Sequence, residues 1–301
     1  MGRAGRQHPA LGLGLWAVGR WTPEDEVRTR ATLTRALERG IRWLDTAEVY
    51  GSGRSERVVG DVIAARPAPQ DLFLATKVSW EHLRPGQIRA ALTGSLQRLG
   101  RRSVDLYLVH APDPRVPIAD TMGALEALWK EGRIGAIGVS NFGVEELEAA
   151  RNALSEAEIV VDQVRYNLFD REDGDSIRSY CERHRIVIEA YTPLLRGLLA
   201  GRYLDGEKPP VEIRRFTHRL LDDEALPEVL GRARKLRELA RQSDVPIAAI
   251  ALHWLRARGA APVFGATQPE QVEAVMAAFA RVPPASVLER ADAIARGSTD
   301  A

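Results

Sequence analysis

Residues 41–51 read IRWLDTAEVYG. The first five residues have the apolar character of a buried strand and end at Asp45, and the phenol of Tyr50 follows five residues later. Two later runs of the same kind, FLATK and DLYLVH, also end in side chains that handle protons, Lys77 and His110. Packing does not explain four such groups at successive strand ends. The pattern predicts an acid-base site at one end of a set of strands.

The rest of the chain alternates short apolar runs with longer amphipathic segments, which is the pattern of repeated βα units. We predict strands near 11–15, 41–45, 72–77, 104–109, 134–139, 159–163, 186–191 and 261–264. We predict helices near 24–39, 54–65, 86–99, 119–131, 144–152, 172–184 and 246–258, and a terminal helix over 286–295. Eight strands alternating with helices predict an α/β fold, a (β/α)8 TIM barrel, as a single domain over residues 1–301.

The residue types at these strand ends suggest a specific chemistry. A tyrosine is a weak acid with an ordinary pKa of about 10, and a nearby lysine stabilises its phenolate while a carboxylate holds the lysine in place. Tyr50, Lys77 and Asp45 fit this arrangement, and neutral His110 could hydrogen-bond a substrate carbonyl beside Tyr50. The carbonyl carbon then needs a nucleophile, which predicts a hydride-carrying cofactor.

These four residues, in this order and context, resemble the Asp, Tyr, Lys and His tetrad of the aldo-keto reductase superfamily. Ser140-Asn141 in GVSNF, Gln163 in VDQVRYN and Tyr191 in AYTPL also resemble motifs of that superfamily. The resemblance runs from about residue 11 to about residue 279. It implies an oxidoreductase that reduces a small aldehyde or ketone to an alcohol, with Tyr50 as the general acid.

The resemblance also implies a nicotinamide cofactor, with Tyr191 stacked on the nicotinamide ring and Ser140, Asn141 and Gln163 at its carboxamide. The complete set of cofactor contacts that it implies is Ser140, Asn141, Gln163, Tyr191, Pro193, Leu194, Gly197, Leu198, Gly265, Thr267 and Gln271. Trp16 and Trp80 follow predicted strands and are expected to form aromatic walls of the carbonyl pocket, with core packing as the alternative for each. Trp43 and Trp129 are expected to be structural.

NADPH is the expected cofactor, with NADH possible. The segment APVFGATQPEQVEAV, residues 261–275, resembles the motif that holds the adenosine phosphate, but Thr267 and Gln271 stand where relatives often carry a basic residue. A helix beginning near Pro269 offers free amides and a dipole to a phosphate. The segment 195–227 is long and rich in Gly and Pro, and we predict a functional loop there over the C-terminal face of the barrel.

Composition excludes several other classes. The chain has 42 Lys plus Arg against 41 Asp plus Glu, so no charge excess favours nucleic acid or an anionic membrane as a partner. The single cysteine, Cys181, is expected to be buried and inert, and no histidine pair has a supported metal-ligand spacing. His8, His82, His184, His218 and His253 are expected to be surface or packing residues.

The first twenty residues place arginines before a short apolar run, but Gly12 and Gly14 interrupt that run, so we do not interpret it as a signal peptide. No stretch approaches the roughly 20 apolar residues of a membrane span, and a cytoplasmic location is expected. Only about ten residues precede Leu11, so the hairpin with which related barrels close their bottom is expected to be reduced. The sequence YGSGRSE lacks the third glycine of a dinucleotide-binding fingerprint.

Two other functions stay open. A cofactor-binding regulatory subunit would keep the barrel and the tetrad with little turnover. A barrel isomerase or lyase would leave Tyr191 and Gln163 without a role. The sequence indicates neither the natural substrate nor the oligomeric state.

Overall fold

Eight parallel strands close into a barrel in the computed structural model, which describes residues 8–17, 22–65, 69, 71–207, 209 and 224–297. The strands are β1 Gly12–Gly14, β2 Trp43–Asp45, β3 Phe73–Val78, β4 Leu106–Val109, β5 Ile137–Ser140, β6 Ile159–Arg165, β7 Val187–Tyr191 and β8 Ala260–Gly265. Each strand pairs in parallel with its sequence neighbours, and β1 pairs with β8. The predicted (β/α)8 barrel is confirmed, and all eight predicted strands are present.

Helices separate the strands along the chain. They are α1 Pro23–Glu38, α2 Arg54–Ala64, α3 Pro85–Leu99, α4 Ile118–Lys130, α5 Val144–Asn152, α6 Glu172–His184, α7 Leu226–Gln242, α8 Ile247–Ala257, α9 Pro269–Phe279 and α10 Ala285–Ala295. The seven helices and the terminal helix predicted by position agree with the structure to within one residue at each end, and α9 begins at the predicted Pro269. Helix α7 was not predicted, although Leu226, Val229, Ala233, Leu236 and Leu239 are buried at helical spacing.

The segment predicted as a loop over 195–227 is partly ordered structure. A short 3₁₀ helix covers Leu195–Ala200, and α7 already begins at Leu226. Residues 208 and 210–223, with Pro210 and His218, lie outside the described residues. Burial of the side chains of Leu195, Leu198 and Leu199 gives the described part its own packing against the barrel.

The strands are buried on both faces, as expected for a parallel sheet covered by helices. Inside the barrel, Trp43 is fully buried, and a Cβ at Gly12 would come within 2.3 Å of its ring. The His8 ring lies edge-on to Trp43, with ring centroids 4.4 Å apart, and fills the N-terminal end of the barrel. Residues 1–7 lie outside the described residues, so the predicted reduction of a terminal hairpin stays a prediction.

Two further expectations concern the cysteine Cys181 and membrane-spanning helices. Cys181 is 1% exposed, so the expectation that it is buried is confirmed. Burial, and then the charge of Asp162, raises the pKa of its thiol to about 12, in keeping with the prediction that it is inert. Within the described residues, no helix is long and apolar enough to cross a membrane.

Candidate active site

Three members of the predicted tetrad form one buried hydrogen-bonded chain. Lys77 Nζ donates to Asp45 Oδ1 and Oδ2 at 2.8 and 2.6 Å, and to Tyr50 Oη at 3.2 Å. It also donates to the carbonyl oxygen of Thr46 at 3.0 Å. Asp45 ends β2 and Lys77 lies near the end of β3, so the parallel register brings the two side chains together inside the barrel mouth. Lys77 is fully buried beneath Tyr50.

Burial keeps Tyr50 protonated, and it also acts on the charge of Lys77. Burial opposes the charge on Lys77, but the Asp45 carboxylate holds the pKa of Lys77 above its ordinary value. Burial raises the pKa of Tyr50, and the Lys77 ammonium only partly offsets this effect. The expected stabilisation of the phenolate by Lys77 is present in direction, but burial outweighs it. Tyr50 is therefore a neutral hydrogen-bond donor at physiological pH, with a cation in place to stabilise the phenolate once a proton has left.

His110 stands beside the phenol. The ring centroids of His110 and Tyr50 are 5.5 Å apart, at an interplanar angle of 78°. Burial, and then the positive charge of Lys77, lowers the pKa of His110 to about 3. The imidazole is therefore neutral across the physiological range, as predicted.

A second set of hydrogen bonds connects Asp45 to His8 at the N-terminal end of the barrel. Gln163 Nε2 donates to Asp45 Oδ1 at 3.0 Å and to Glu189 Oε2 at 2.6 Å, and Glu189 Oε1 lies 2.7 Å from His8 Nε2. Both amide hydrogens of Gln163 are thus engaged by carboxylates, which leaves its Oε1 as an acceptor for a ligand. Glu189 was not among the predicted site residues, and His8 was expected only at the surface or in packing. Glu189 precedes Tyr191 by two residues, so strand alternation places both on one face and could have indicated it.

The other predicted nicotinamide contacts are hydrogen-bonded to one another. Tyr191 Oη donates to Asn141 Oδ1 at 2.9 Å, and Asn141 Nδ2 donates to the carbonyl oxygen of His110 at 3.1 Å. Ser140 Oγ donates to the carbonyl oxygen of Gln163 at 2.7 Å. Asn141 has a left-handed φ of 61°, a region that asparagine tolerates better than most residues. These bonds fix the Tyr191 ring and the Asn141 amide at the cavity wall.

One cavity of about 740 Å³ gathers most of the predicted site. Its walls include Trp16, Asp45, Tyr50, His110, Ser140, Asn141, Gln163, Tyr191, Pro193, Leu194, Gly197, Gly265, Thr267 and Gln271. Three predicted site residues do not line it: Lys77 lies beneath Tyr50, Leu198 is fully buried, and Trp80 is 43% exposed with its ring centroid 5.9 Å from His110. Trp16 is 41% exposed, so neither Trp16 nor Trp80 is a core residue.

The start of α9 forms another part of the cavity wall. Gln271 folds back over the helix start, and its Oε1 accepts a hydrogen bond from the backbone N–H of Thr267 at 2.7 Å. Glu270 also lines the cavity. The sequence has no Lys or Arg between 265 and 275. This wall therefore offers backbone amides but no basic side chain to a phosphate.

Sequence reasoning missed three arginines in the same cavity, Arg165, Arg196 and Arg202. Arg165 follows Gln163 by two residues on β6, and strand alternation places both on one face. Arg196 and Arg202 belong to the run TPLLRGLLAGRY that follows Tyr191. Among the described residues, no cluster of three or more His, Cys, Asp or Glu side chains could hold a metal ion.

Comparison with known proteins identifies relatives along nearly the whole chain. The model of the Aldo/keto reductase family matches residues 10–296. The aldo-keto reductase YhdN of Bacillus subtilis (strain 168) is 34% identical over 278 residues, which cover 88% of this chain and 83% of the relative. The NADH-specific methylglyoxal reductase of Escherichia coli (strain K12) is 30% identical over 296 residues, covering 89% of each chain. The structure of an aldo/keto reductase from Klebsiella pneumoniae in complex with NADP and acetate is similar with a TM-score of 0.77 at 27% identity, covering 94% of this chain and 90% of that one.

Proposed function

From the premise that the chain belongs to the aldo/keto reductase family, we propose that it reduces an aldehyde or ketone to an alcohol with a nicotinamide cofactor, and that Tyr50 donates the proton. The observation that carries this proposal is the buried chain from Asp45 through Lys77 to Tyr50 at the wall of a large cavity. A developing alkoxide needs a proton donor, which the protonated phenol can be. The ammonium of Lys77 then stabilises the phenolate that remains.

The cavity suits a nicotinamide dinucleotide. The Tyr191 ring lies at its wall and would stack on the nicotinamide, and the acceptor oxygens Gln163 Oε1 and Asn141 Oδ1 would bind the NH₂ group of its carboxamide. The same cavity reaches the start of α9, where helix amides attract a phosphate. Of the predicted cofactor contacts, Leu198 would act through packing, since it does not line the cavity.

A nicotinamide cofactor held against Tyr191 would supply the hydride for the carbonyl carbon. The protein residues act on the oxygen. Tyr50 donates its phenolic proton to the carbonyl oxygen, so an O–H bond forms and the phenolate remains beside Lys77. Neutral His110 orients the same oxygen by a hydrogen bond, and Asp45 keeps Lys77 in place. Solvent then returns a proton to Tyr50.

NADPH is our first choice of cofactor and NADH the second. One relative is described as NADH-specific, whereas one similar structure holds NADP. The neutral wall formed by Thr267 and Gln271, with Glu270 beside it, favours weak discrimination between the two. A cytoplasmic location is part of the same proposal.

The test is the fall in absorbance of NADPH or NADH with a panel of aldehydes and ketones, together with identification of the alcohol formed. We expect turnover with one alcohol formed for each cofactor oxidised. Tight cofactor binding without turnover of any carbonyl would favour the regulatory-subunit alternative. Conversion of a substrate without a change in cofactor absorbance would favour the isomerase or lyase, and either result would refute the proposal.

A further inference from the structure

Arg196 lines the cavity and makes a cation-π contact there. Its guanidinium carbon lies 3.9 Å from the centroid of the Trp16 ring, a cation-π distance that joins the segment after β7 to the one after β1. Its Nε is buried and has no hydrogen-bond partner among the described residues. A guanidinium has five N–H donors, and Arg196 forms no ion pair with a carboxylate of the described residues, so this partly buried group has donors left for a ligand.

The backbone that carries Arg196 is held in an unfavourable conformation. Leu195 and Arg196 have left-handed φ values of 42° and 56°, and Gly197 follows with 100°. This region is unfavourable for residues other than glycine, and such strain is concentrated at functional sites. The turn directs the Arg196 side chain back over the barrel mouth, where it meets Trp16.

Arg165 places a second positive charge near Arg196. Burial, and then the charge of Arg165, lowers the pKa of Arg196 to about 10, so Arg196 is still cationic at neutral pH. Arg165 has one carboxylate nearby, Asp170, at 3.8 Å. The carboxylates among the described residues of the cavity wall are Asp45 and Glu270. Asp45 is paired with Lys77, and Glu270 lies on α9. Two cations that repel each other in a partly buried site are stabilised by an anionic ligand.

We propose that Arg196 binds a carboxylate on the carbonyl substrate, so that carboxylate-bearing aldehydes or ketones are the preferred substrates. This inference rests on the proposed carbonyl reduction. Arg196 stacks on Trp16, and both residues line the same cavity as Tyr50, so a carbonyl substrate bound at Tyr50 would share that cavity with the guanidinium. A phosphate of the cofactor is the other anion that could bind there, and the experiment separates the two.

The experiment compares 4-carboxybenzaldehyde with methyl 4-formylbenzoate, which present the same reacting group with and without a negative charge. We expect the parent protein to have the higher kcat/KM for the carboxylate. In Arg196→Gln, this preference should fall by about ten- to a hundredfold, the range of one charge-assisted hydrogen bond. Arg196→Lys should keep part of the preference. Arg57→Gln, which removes a charge from an exposed position on α2, should change it by less than about twofold.

The dissociation constant of NADPH, measured by calorimetry without aldehyde, is the second readout. We expect it to change by less than about threefold in Arg196→Gln, because the lost contact is to substrate. An unchanged preference in Arg196→Gln would overturn the inference, as would an equal preference for both aldehydes in the parent. Weaker NADPH binding with an unchanged preference would assign Arg196 to a cofactor phosphate and also overturn it. Failure of the parent to reduce either aldehyde or any other carbonyl would instead contradict the proposed function itself.

Discussion

At the residue scale, the site depends on how burial and paired charge act on two groups. Tyr50 is kept neutral by burial although a cation lies 3.2 Å from its oxygen, and His110 is kept neutral by burial and by that same cation. Lys77 is the charge common to both effects. Its own charge depends on Asp45, which accepts two of its hydrogen bonds.

We expect Lys77→Met to abolish activity and also to destabilise the fold, because it leaves the Asp45 carboxylate buried without its cation. Removing one partner of a buried pair costs about 3–5 kcal/mol. The unpaired Asp45 should have a raised pKa, so the folded variant binds a proton that the unfolded chain does not. The deficit in unfolding free energy should therefore be smaller at about pH 5 than at about pH 7.

The control for this prediction is the double variant Asp45→Asn/Lys77→Met, which removes both charges. Urea unfolding should show most of the lost stability restored, while turnover stays absent. A double variant as unstable as Lys77→Met alone would mean that packing of the lysine stem, not the unpaired charge, is responsible.

His110 should contribute to acid sensitivity. Its pKa is about 3 in the fold against an ordinary value of 6.5, so below about pH 6.5 the unfolded chain binds a proton there that the folded chain does not. The resulting loss of unfolding free energy is absent above about pH 6.5. It grows as the pH falls toward the pKa that His110 has in the fold. Between about pH 7 and pH 4.5, His110→Gln should lose roughly 2 kcal/mol less unfolding free energy than the parent. Parallel stability curves for the two proteins would contradict the assignment.

Residues of the site differ in how far the sequence indicates them. Asp45, Lys77 and His110 are local signals, because each polar group closes an apolar run. The burial of Lys77 depends on how deep the side chain lies in the barrel mouth, which the local sequence does not indicate. The loss of stability expected for Lys77→Met depends on that burial. His8 and Arg196 come from segments outside the strands, and their contacts with Glu189 and Trp16 depend on tertiary packing that no local pattern encodes.

At the element scale, we expect the start of α9 to govern the choice of cofactor. The helix amides favour a phosphate in either cofactor, but no basic side chain between 265 and 275 is available for the extra phosphate of NADPH. The Thr267 amide is already bonded to Gln271, and Glu270 lines the same cavity. Discrimination between NADPH and NADH should therefore be weak.

We predict that the dissociation constants of NADPH and NADH, measured by quenching of tryptophan fluorescence, differ by less than about a hundredfold. Thr267→Arg should widen the difference toward NADPH by roughly 1–2 kcal/mol through one charge-assisted contact. Thr267→Gln, similar in reach but neutral, is the control and should leave the ratio within about threefold. A parent that prefers NADPH a thousandfold would require a basic residue elsewhere, and this account of α9 would fail.

Elements were predictable where a repeated pattern set the expectation. Each βα unit repeats an apolar run and an amphipathic segment, so strands and helices up to β7 follow from periodicity. The connection from β7 to β8 breaks that rhythm: its described part contains a strained 3₁₀ turn and the helices α7 and α8. The Gly and Pro residues of the 195–227 segment suggested a loop up to Pro227, and the helical spacing that begins at Leu226 was therefore not recognised.

At the scale of the whole molecule, closure of the barrel creates the site. Asp45 and Gln163 are 118 residues apart in sequence yet share a hydrogen bond, because the barrel interior brings β2 and β6 to the same axis. Parallel pairing places every strand end on one face, so local signals at each strand become one constellation. Only the closed barrel joins the His8 end to Tyr50 through Glu189, Gln163, Asp45 and Lys77.

The central claim is that this constellation uses Tyr50 as its proton donor, and Tyr50→Phe tests it most directly. The substitution keeps the ring and removes the hydroxyl that Lys77 contacts. Steady-state turnover of an aldehyde and the dissociation constant of NADPH should be measured side by side. We predict that turnover falls by more than about a hundredfold, in line with the loss of a general acid, while NADPH binding changes by less than about threefold. Turnover within a few-fold of the parent, with NADPH still bound, would contradict the account.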